Sequence, residues 1–303
     1  MVGPASHSKM RVIYIGGVEH NGSTILGVAL GNHPQIECVG ELTFLARQGW
    51  LGDEFCACGQ TISDCPFWTN VKYLWTQATG QNLQSLVELE NDFDRHRRFY
   101  NLKKEKRFPS SHFLEYKIQT SALFSAIQQV SGKDIIIDTS KRFSRALALS
   151  MVPDIDLRII HLVRDARGVA YSWSKPTRPK RRSWLDASIR WNVTNAAFEI
   201  VKRNIESDRW IRLRYEDLIR EPFETLKRIG EFAEVELSDL ATSLSNGKVL
   251  STNHVGVGNG FLRRVKQVTL SPSIDWPDRI PVGDQRRVWR ITWPLMRRYG
   301  YGP

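Results

Sequence analysis

Short apolar segments alternate with helical periodicity along most of this chain. Four of them have the length of buried strands: residues 11–17 (RVIYIGG), 133–142 (KDIIIDTSKR), 157–165 (LRIIHLVRD) and 209–218 (RWIRLRYEDL). Apolar residues at helical spacing follow each segment, for example over residues 22–30, 143–151 and 166–174. Strands that alternate with helices build βαβ units, so the pattern predicts an α/β fold in three layers, with a central parallel sheet flanked by helices.

Residues 50–130 have a different pattern. A loop rich in glycine, cysteine and proline precedes a polar stretch with helical character from about residue 68 to 130, and a short helix is predicted at residues 41–50. The charged middle of the stretch, DFDRHRRFYNLKKEKRF, is typical of a solvated helix face. Neither a repeat nor a linker divides the sequence. We therefore predict one domain over residues 1–303, with a mostly helical insertion at about residues 50–130.

Charge changes this picture more than composition does. The 303 residues are 41% hydrophobic and 25% charged, which is ordinary, but the formal net charge is +11. This excess predicts an anionic partner: nucleic acid, a phosphorylated cofactor, an acidic glycan or a membrane surface. No apolar run reaches the roughly 18–20 residues of a membrane-spanning helix, and MVGPASHSKM lacks the apolar core of a signal peptide. A cytoplasmic protein without a membrane span is therefore expected.

A glycine-rich loop follows the first predicted strand. Gly17, Gly22, Ser23 and Thr24 fit the frame G-x4-G-[K]-[ST] of a phosphate-binding loop, where backbone N–H groups and the helix dipole attract an anion. Ser23 occupies the position of the lysine that contacts the β- and γ-phosphates of a nucleoside triphosphate. The loop therefore predicts a phosphate-like ligand and argues against hydrolysis of ATP or GTP.

The segment GGVEHNGSTILGVALGNHPQIECVGEL resembles the 5′-phosphosulfate-binding segment of sulfotransferases that use 3′-phosphoadenosine 5′-phosphosulfate (PAPS), of the bacterial and Golgi-type branch. The resemblance implies a P-loop NTPase-like fold and PAPS as co-substrate. The residues that it places around the 5′-phosphate are Gly17, His20, Asn21, Gly22, Ser23 and Thr24. His20 stands where many members have Lys or Arg, so it needs a protonated or donating ring to stabilise the bridging oxygen. Activity is then expected to depend on pH near the reference pKa of about 6.5.

A second segment, LRIIHLVRDARGVAYSWS, resembles the 3′-phosphate-binding segment of the same family, in which a strand-end Arg and a Ser eight residues later hold the phosphate. Arg164 and Ser172 have this spacing. The guanidinium supplies a bidentate donor pair and the hydroxyl a neutral donor. Parallel α/β sheets bind ligands at the carboxyl ends of their strands, where both Arg164 and the glycine loop are expected to lie. The two motifs together indicate PAPS more strongly than either alone.

Three further segments extend the resemblance. IIIDTSKRFSRALAL assigns Lys141 to the sulfuryl or phosphate oxygens, with Asp138 to orient it or the acceptor. LRYEDLIREP adds Tyr215 to the cofactor site, while Glu216 and Asp217 are interpreted as helix-start carboxylates. HVGVGNGFLRR resembles a late loop that closes over the 3′-phosphate and adenine, and its candidates are Gly258, Asn259 and Arg263. Asp138 could instead hold Mg²⁺, but the loop lysine is missing and sulfuryl transfer from PAPS needs no metal. No metal is therefore expected.

The reaction requires a base, because an acceptor hydroxyl must lose its proton as the S–O bond forms. The resemblance assigns this role to Glu41, within VGEL. His33 is the chemical rival, although its H-P sequence is expected to form a structural turn, and Asp138 is third. His20, Lys141 and the loop N–H groups are the groups expected to stabilise the sulfuryl and the leaving phosphate.

Two clusters have no role in this scheme. Cys56, Cys58 and Cys65 could bind zinc if Cys38 or a histidine supplied a fourth ligand, could form a disulfide between Cys56 or Cys58 and Cys65, or could be reduced packing residues. The basic run KPTRPKRR (residues 175–182) could be a solvated loop, a lid over the cofactor or acceptor, or a nucleic-acid patch. No recognised nucleic-acid fold accompanies it, so no nucleic-acid partner is predicted.

These motifs predict a sulfotransferase that moves the sulfuryl group of PAPS to a hydroxyl or amine of a small molecule, glycan or peptide. Two alternatives remain. A P-loop kinase of nucleotides or small molecules is disfavoured by Ser23, and a non-catalytic polyanion-binding module leaves Arg164 and Ser172 without a special role. The acceptor is not predicted, and a homodimer is compatible with the sequence.

Overall fold

A five-stranded parallel sheet forms the centre of the molecule, as seen in a computed structural model that describes residues 9–175, 181–258, 267–269 and 276–303. Its strand order is β2-β3-β1-β4-β5. The strand bounds are β1 Met10–Gly16, β2 Ile36–Gly40, β3 Ile135–Lys141, β4 Ile155–Val163 and β5 Trp210–Arg214. All four pairings are parallel. The predicted α/β class with a central parallel sheet is confirmed.

Helices connect the strands and cover both faces of the sheet. Their bounds are α1 Ser23–Leu30, α2 Pro66–Thr79, α3 Leu83–Phe93, α4 Phe99–Arg107, α5 Ser111–Ser131, α6 Phe143–Leu149, α7 Ala166–Ser174, α8 Trp184–Lys202, α9 Tyr215–Arg220, α10 Pro222–Ala233, α11 Ser238–Ser245, α12 Trp276–Arg279 and α13 Val282–Arg298. Two short antiparallel strands, β6 Leu250–Ser251 and β7 Gln267–Val268, pair near the carboxyl-terminal end. No helix in the described part of the chain is long and apolar enough to cross a membrane.

Side chains along β1 point alternately to the two faces of the sheet and so contribute to two separate hydrophobic clusters. Val12 and Tyr14 belong to a cluster with α2, α3, α5 and α6, whereas Ile13 and Ile15 belong to one with α1, α10 and α11. Successive strand residues point to opposite faces, so each face of β1 nucleates one layer. The helical segment at residues 66–131 therefore contributes to a face of the sheet: α5 contacts both β1 and β3.

Two local predictions differ from the structure. β2 is not predicted from the sequence pattern; its five residues, IECVG, are all buried, and it is the edge strand beside β3. The segment at residues 41–50 is helical but not α-helical: it forms a 3₁₀ turn over Leu42–Phe44 and a π-helix over Leu45–Trp50. The wider π turn aligns residues four and five apart, so Leu45, Gly49 and Trp50 all reach the buried side.

Candidate functional site

The strand order reverses at β1, and this reversal locates the candidate site. From β1 the chain passes to one side to build β2 and β3, then to the other side for β4 and β5. Such a reversal opens a crevice beyond the carboxyl ends of the strands. The loop at residues 17–24 follows β1, Lys141 ends β3 and Arg164 follows β4. The topology thus brings the three predicted anion-binding elements to one edge of the sheet.

The loop after β1 is held in place by the side chain of Asn21. This fully buried amide donates to the Leu162 carbonyl in β4 at 2.8 Å, and its Oδ1 accepts from the Ser23 backbone N–H at 3.0 Å. The Asn21 side chain is therefore used within the fold, and only its backbone remains for a ligand. In contrast, the buried Ser23 hydroxyl has no hydrogen-bond partner among the described residues. Thr24, one residue further along α1, is half-buried.

Tyr215 connects the loop to the end of β4. Its buried ring lies so close to Gly22 that a Cβ at that glycine would stand 2.3 Å from a ring carbon. The Arg164 guanidinium lies over the same ring, 4.4 Å from its centroid, in a cation–π arrangement. Gly22 also has φ +97°, in the left-handed region. Tyr215 thus packs between two predicted phosphate-binding positions.

Arg164 also contacts the glycine loop directly. Its Nη1 donates to the His20 carbonyl at 3.0 Å, across 144 residues of sequence. Its Nε would lie 3.2 Å from a Cβ at Gly168, so the side chain follows the face of α7 that carries Ser172 one turn later. Arg164 and Ser172 are each 7% exposed. Arg164, one member of the predicted 3′-phosphate pair, therefore adjoins the predicted 5′-phosphate loop.

The His20 ring packs against an aromatic residue that sequence reasoning missed. Its edge meets the Trp173 ring with centroids 4.4 Å apart, and the Arg182 guanidinium lies 4.5 Å from the centroid of Trp173. Arg182 also pairs with Asp186 at 2.7 Å. The only available signal was that Trp173 follows Ser172 directly in the sequence. Of the basic run, Lys175, Arg181 and Arg182 are described, and residues 176–180 lie outside the described ranges.

Glu41 and Lys141 form an ion pair at the ends of β2 and β3. The Lys141 ammonium donates to Glu41 Oε1 and to the Thr139 carbonyl, the latter at 3.2 Å. The two side chains remain 15% and 11% exposed, so they can reach a ligand in the crevice. The Glu41 backbone N–H donates to the Val257 carbonyl at 3.1 Å. Two predicted catalytic residues thus meet beside the loop that precedes residue 259.

Gly258 lies against this pair, because a Cβ built on it would collide with the Glu41 side chain. Asn259 and Arg263, the other two candidates from this loop, lie outside the described residues.

The rival bases occupy less suitable positions. Asp138 is fully buried; its Oδ1 accepts from Ser140 and its Oδ2 from Arg145 Nε at 2.8 Å. It therefore has neither access to an acceptor nor oxygens to spare for a metal. His33 precedes β2, and Glu41 follows it. Because the five residues of β2 span about 16 Å, His33 lies toward the amino-terminal ends of the strands, away from Glu41. Its Nδ1 accepts from the Gln35 N–H at 3.3 Å, as expected for a turn residue, and partial burial lowers its pKa.

Glu216 lies in the first turn of α9, where the sequence predicts a carboxylate with a structural role. It is buried, accepts from the Asp165 N–H at 3.0 Å, and accepts from the Tyr301 hydroxyl at 2.7 Å. Burial is the largest effect on this carboxyl and raises its pKa. Glu216 therefore connects the end of β4 with the carboxyl-terminal residues rather than facing a ligand.

Comparisons with known proteins concern the family and the fold of the chain. A family model described as "Sulfotransferase family" matches residues 12–239, about three quarters of the chain. Carbohydrate sulfotransferase 5 of Mus musculus is 29% identical over a 174-residue alignment that covers 49% of this chain and 42% of that protein. The chain thus spans less than half the length of this curated relative.

Two solved structures share the fold over nearly the whole chain. The sulfotransferase domain of the Synechococcus PCC 7002 olefin synthase gives a TM-score of 0.56 at 17% identity and covers 99% of this chain and 98% of its own. The sulfotransferase domain from the curacin biosynthetic pathway gives 0.54 at 15% identity, covering 96% and 97%. At these identities the likeness concerns the fold alone.

Proposed function

This chain belongs to the sulfotransferase family, and from that premise we propose that it transfers the sulfuryl group of PAPS to an acceptor hydroxyl or amine. One observation carries the choice of donor: Arg164 Nη1 donates to the His20 carbonyl at 3.0 Å. This contact joins the loop after β1 to the end of β4. Two adjacent anion-binding positions suit a ligand with phosphate groups on both its 5′ and 3′ sides.

In the proposal, backbone N–H groups of residues 17–24 hold the 5′-phosphate at the start of α1, where the helix dipole favours an anion. The buried Ser23 hydroxyl supports this role, because a buried donor without a partner is costly unless a ligand supplies one. Arg164 and Ser172 bind the 3′-phosphate, and the ring of Tyr215 keeps Arg164 in place. Gly258, Asn259 and Arg263 complete the nucleotide site as a prediction.

The transfer itself is proposed as an in-line displacement. The acceptor oxygen or nitrogen attacks sulfur, the bond from sulfur to the bridging phosphate oxygen breaks, and 3′-phosphoadenosine 5′-phosphate (PAP) leaves. Glu41 takes the acceptor proton, while Lys141 and His20 stabilise negative charge on the sulfuryl and the leaving phosphate. The Glu41–Lys141 ion pair supports this division, since it holds a carboxylate and an ammonium beside the same crevice. No metal takes part in the proposed step.

Ligand-induced thermal stabilisation separates this proposal from its alternatives. The purified chain is heated alone, with PAP, with ATP and Mg²⁺, and with heparin. A ligand at 100 times its Kd stabilises the folded state by about 2.7 kcal/mol, so PAP should raise Tm by several degrees. Equal or larger stabilisation by ATP and Mg²⁺ would favour a kinase. A shift with heparin alone would favour a polyanion-binding module.

Arg164→Ala tests the 3′-phosphate position. It should reduce affinity for PAP by about 100-fold, because a charge-assisted hydrogen bond contributes roughly 1.5–3 kcal/mol, while affinity for AMP changes little. The matched control is Arg209→Ala. It also removes one positive charge, but Arg209 lies before β5, at the amino-terminal end of the strand and away from the candidate site. Retained preference for PAP over AMP in Arg164→Ala would show that the 3′-phosphate binds elsewhere.

The acceptor class can be narrowed by experiment. The name of the mouse relative refers to a carbohydrate acceptor, so a sugar hydroxyl is the first class to test with this chain. A panel of glycans, phenols, tyrosine peptides and amines, assayed with ³⁵S-labelled PAPS, would rank the classes. A cytoplasmic location and a homodimer stay predictions.

A further inference from the structure

The three cysteines of residues 56–65 do not stand alone in the fold. His254, almost 190 residues away in sequence, brings its ring to the same place, and one ligand atom from each of the four residues lies within 4.8 Å of the others. No metal is expected from the sequence, in which three cysteines would need a fourth ligand to bind zinc. Cys38, one of the two suggested sources, does not belong to this group, whereas a histidine does.

The distances in this cluster match a tetrahedral site. Cys65 Sγ lies 3.7 Å from both Cys56 Sγ and Cys58 Sγ. With Zn–S bonds of about 2.3 Å, two thiolates at corners of a tetrahedron stand about 3.8 Å apart. His254 Nδ1 lies 3.3 Å from Cys65 Sγ and 3.9 Å from Cys56 Sγ, around the roughly 3.6 Å that Zn–S and Zn–N bonds predict. A disulfide needs sulfurs about 2.05 Å apart, and all four cysteines are free.

Surrounding contacts position the His254 ring and the backbone beside the cysteines. The His254 ring stacks on Phe67, with centroids 5.0 Å apart and planes 6° apart. The Trp68 indole donates to the His254 carbonyl at 3.0 Å, and the Ala57 N–H donates to the Val255 carbonyl at 3.0 Å. Cys65 precedes α2 directly, so its backbone is fixed at the start of that helix.

We propose that Cys56, Cys58, Cys65 and His254 bind a structural Zn²⁺ ion through three thiolates and the Nδ1 atom of a neutral imidazole. Binding releases three thiol protons and leaves the site with a net charge of −1. Four protein ligands leave no open position, so the ion is structural rather than catalytic. The site joins the segment before α2 to residues 254–258, and Val257 in that stretch accepts the backbone hydrogen bond of Glu41. This inference does not depend on the proposed function.

Metal content of the intact chain tests the site directly. The protein, purified under reducing conditions and dialysed against metal-free buffer, should contain about one zinc per chain by mass spectrometry of the element. Cys65→Ser should lose most of it. Cys38→Ala is the matched control, since Cys38 is also buried but outside the cluster, and it should retain the zinc. His254→Cys should also retain zinc as a four-thiolate site, whereas His254→Phe should not.

A second measurement keeps the inference testable if Cys65→Ser does not fold. A mercurial reagent added to the wild-type chain should release zinc in step with modification of three of its four thiols. Cobalt substitution should give the visible bands of a tetrahedral Co²⁺ ion, with stronger sulfur-to-metal charge transfer in His254→Cys. Zinc content far below one per chain would overturn the proposal. The intact mass of the protein would then show whether the cysteines are reduced or form a disulfide.

Discussion

At the residue scale, neighbouring positions in the candidate site have different tasks. Asn21 uses its side chain to fasten the glycine loop to β4, whereas Ser23, two residues later, keeps a buried hydroxyl without a partner in the described structure. Glu41 and Lys141 neutralise each other, yet both keep some exposure. The side chains proposed to act on the acceptor therefore lie at the ends of β2 and β3, whereas the loop after β1 contributes backbone groups together with His20 and Ser23.

Glu41→Gln should separate chemistry from donor binding. The amide keeps the size of the carboxylate but cannot accept the acceptor proton, so we expect kcat to fall by about 10²–10⁴-fold. PAP affinity should stay within about threefold, because Glu41 is proposed to contact the acceptor rather than the nucleotide. Rates are measured with ³⁵S-labelled PAPS and the best acceptor from the panel, and affinity by calorimetry.

Glu224→Gln provides the control for that variant. Glu224 is an exposed carboxylate in α10, outside the candidate site, so the substitution makes the same change of charge without touching the ion pair. Its kcat should match that of the unmodified chain. If Glu41→Gln keeps full activity as well, another group is the base.

His161 should make stability fall in mild acid. Its ring is fully buried in β4, with Nε2 2.9 Å from Asn195 Oδ1 and no partner for Nδ1 among the described residues. Burial lowers its pKa to about 3, and the charges of Arg212 and Lys202 act in the same direction. The unfolded chain, with a pKa near 6.5, then binds one more proton between these values. The free energy of unfolding should therefore decrease as pH falls below about 6.5.

His161→Gln tests this effect by urea denaturation at pH 7 and pH 5. The neutral amide can still donate to Asn195 but cannot titrate, so the loss of stability between the two pH values should shrink by about 2 kcal/mol. His112→Gln is the control, because His112 is 49% exposed on the surface. An unchanged difference in His161→Gln would mean that other groups cause the acid sensitivity.

At the element scale, the turn between β1 and α1 depends on close packing against Tyr215. Gly22→Ala puts a Cβ 2.3 Å from a buried ring carbon, at a φ of +97° that L-residues rarely adopt. We expect it to destabilise the chain by about 2–4 kcal/mol and to weaken PAP binding. Both effects can be measured by urea denaturation and calorimetry.

Gly80→Ala isolates the contribution of packing. Gly80 ends α2 with φ +63°, but nothing lies within 4 Å of its added Cβ, so only backbone strain of about 1–2 kcal/mol is expected. Tyr215→Leu should also relieve part of the Gly22→Ala cost in the double variant, because a smaller side chain makes room. If the two substitutions lowered the free energy of unfolding equally, the contact with the Tyr215 ring would not contribute to the effect of Gly22→Ala.

The elements differ in how far sequence predicts them. β1, β3 and β4 each contain an apolar run and have a distinct end, so periodicity and length suffice. β5 has only five residues, two of them arginines, and the helical pattern that follows it makes it recognisable. β2 has five residues that include Glu37, and it becomes a strand because it pairs with β3, which lies about 100 residues later. The same limit applies within the site. Spacing predicts Arg164 and Ser172 as a pair, but only tertiary structure brings Arg164 to the His20 carbonyl and His254 to the cysteines.

At the scale of the whole molecule, a buried polar network joins the helical segment to the sheet. Arg145, which is 2% exposed, donates from Nε to Asp138 at 2.8 Å and from Nη1 to Asp94 at 2.6 Å. The Tyr116 hydroxyl of α5 also donates to Asp94, at 2.8 Å. Asp94 and Tyr116 belong to residues 50–130, whereas Asp138 lies in β3. The predicted insertion therefore shares charge compensation with the sheet as well as apolar contacts.

This network predicts that residues 66–131 and the sheet unfold as one unit. Arg145→Met leaves two buried carboxylates without their cation, which should cost about 3–5 kcal/mol. If they do unfold as one unit, native-state hydrogen exchange should show the same decrease in the free energy of unfolding in the slowest amides of α5, β1 and β3.

Arg190→Met is the control. Its ion pair with Asp186 is solvent-exposed, so the expected cost is at most about 1 kcal/mol. If α5 instead exchanged at a lower free energy and Arg145→Met affected only one of the two regions, the segment would be an independent subdomain. The chain would then not be the single domain that its uninterrupted sequence predicts.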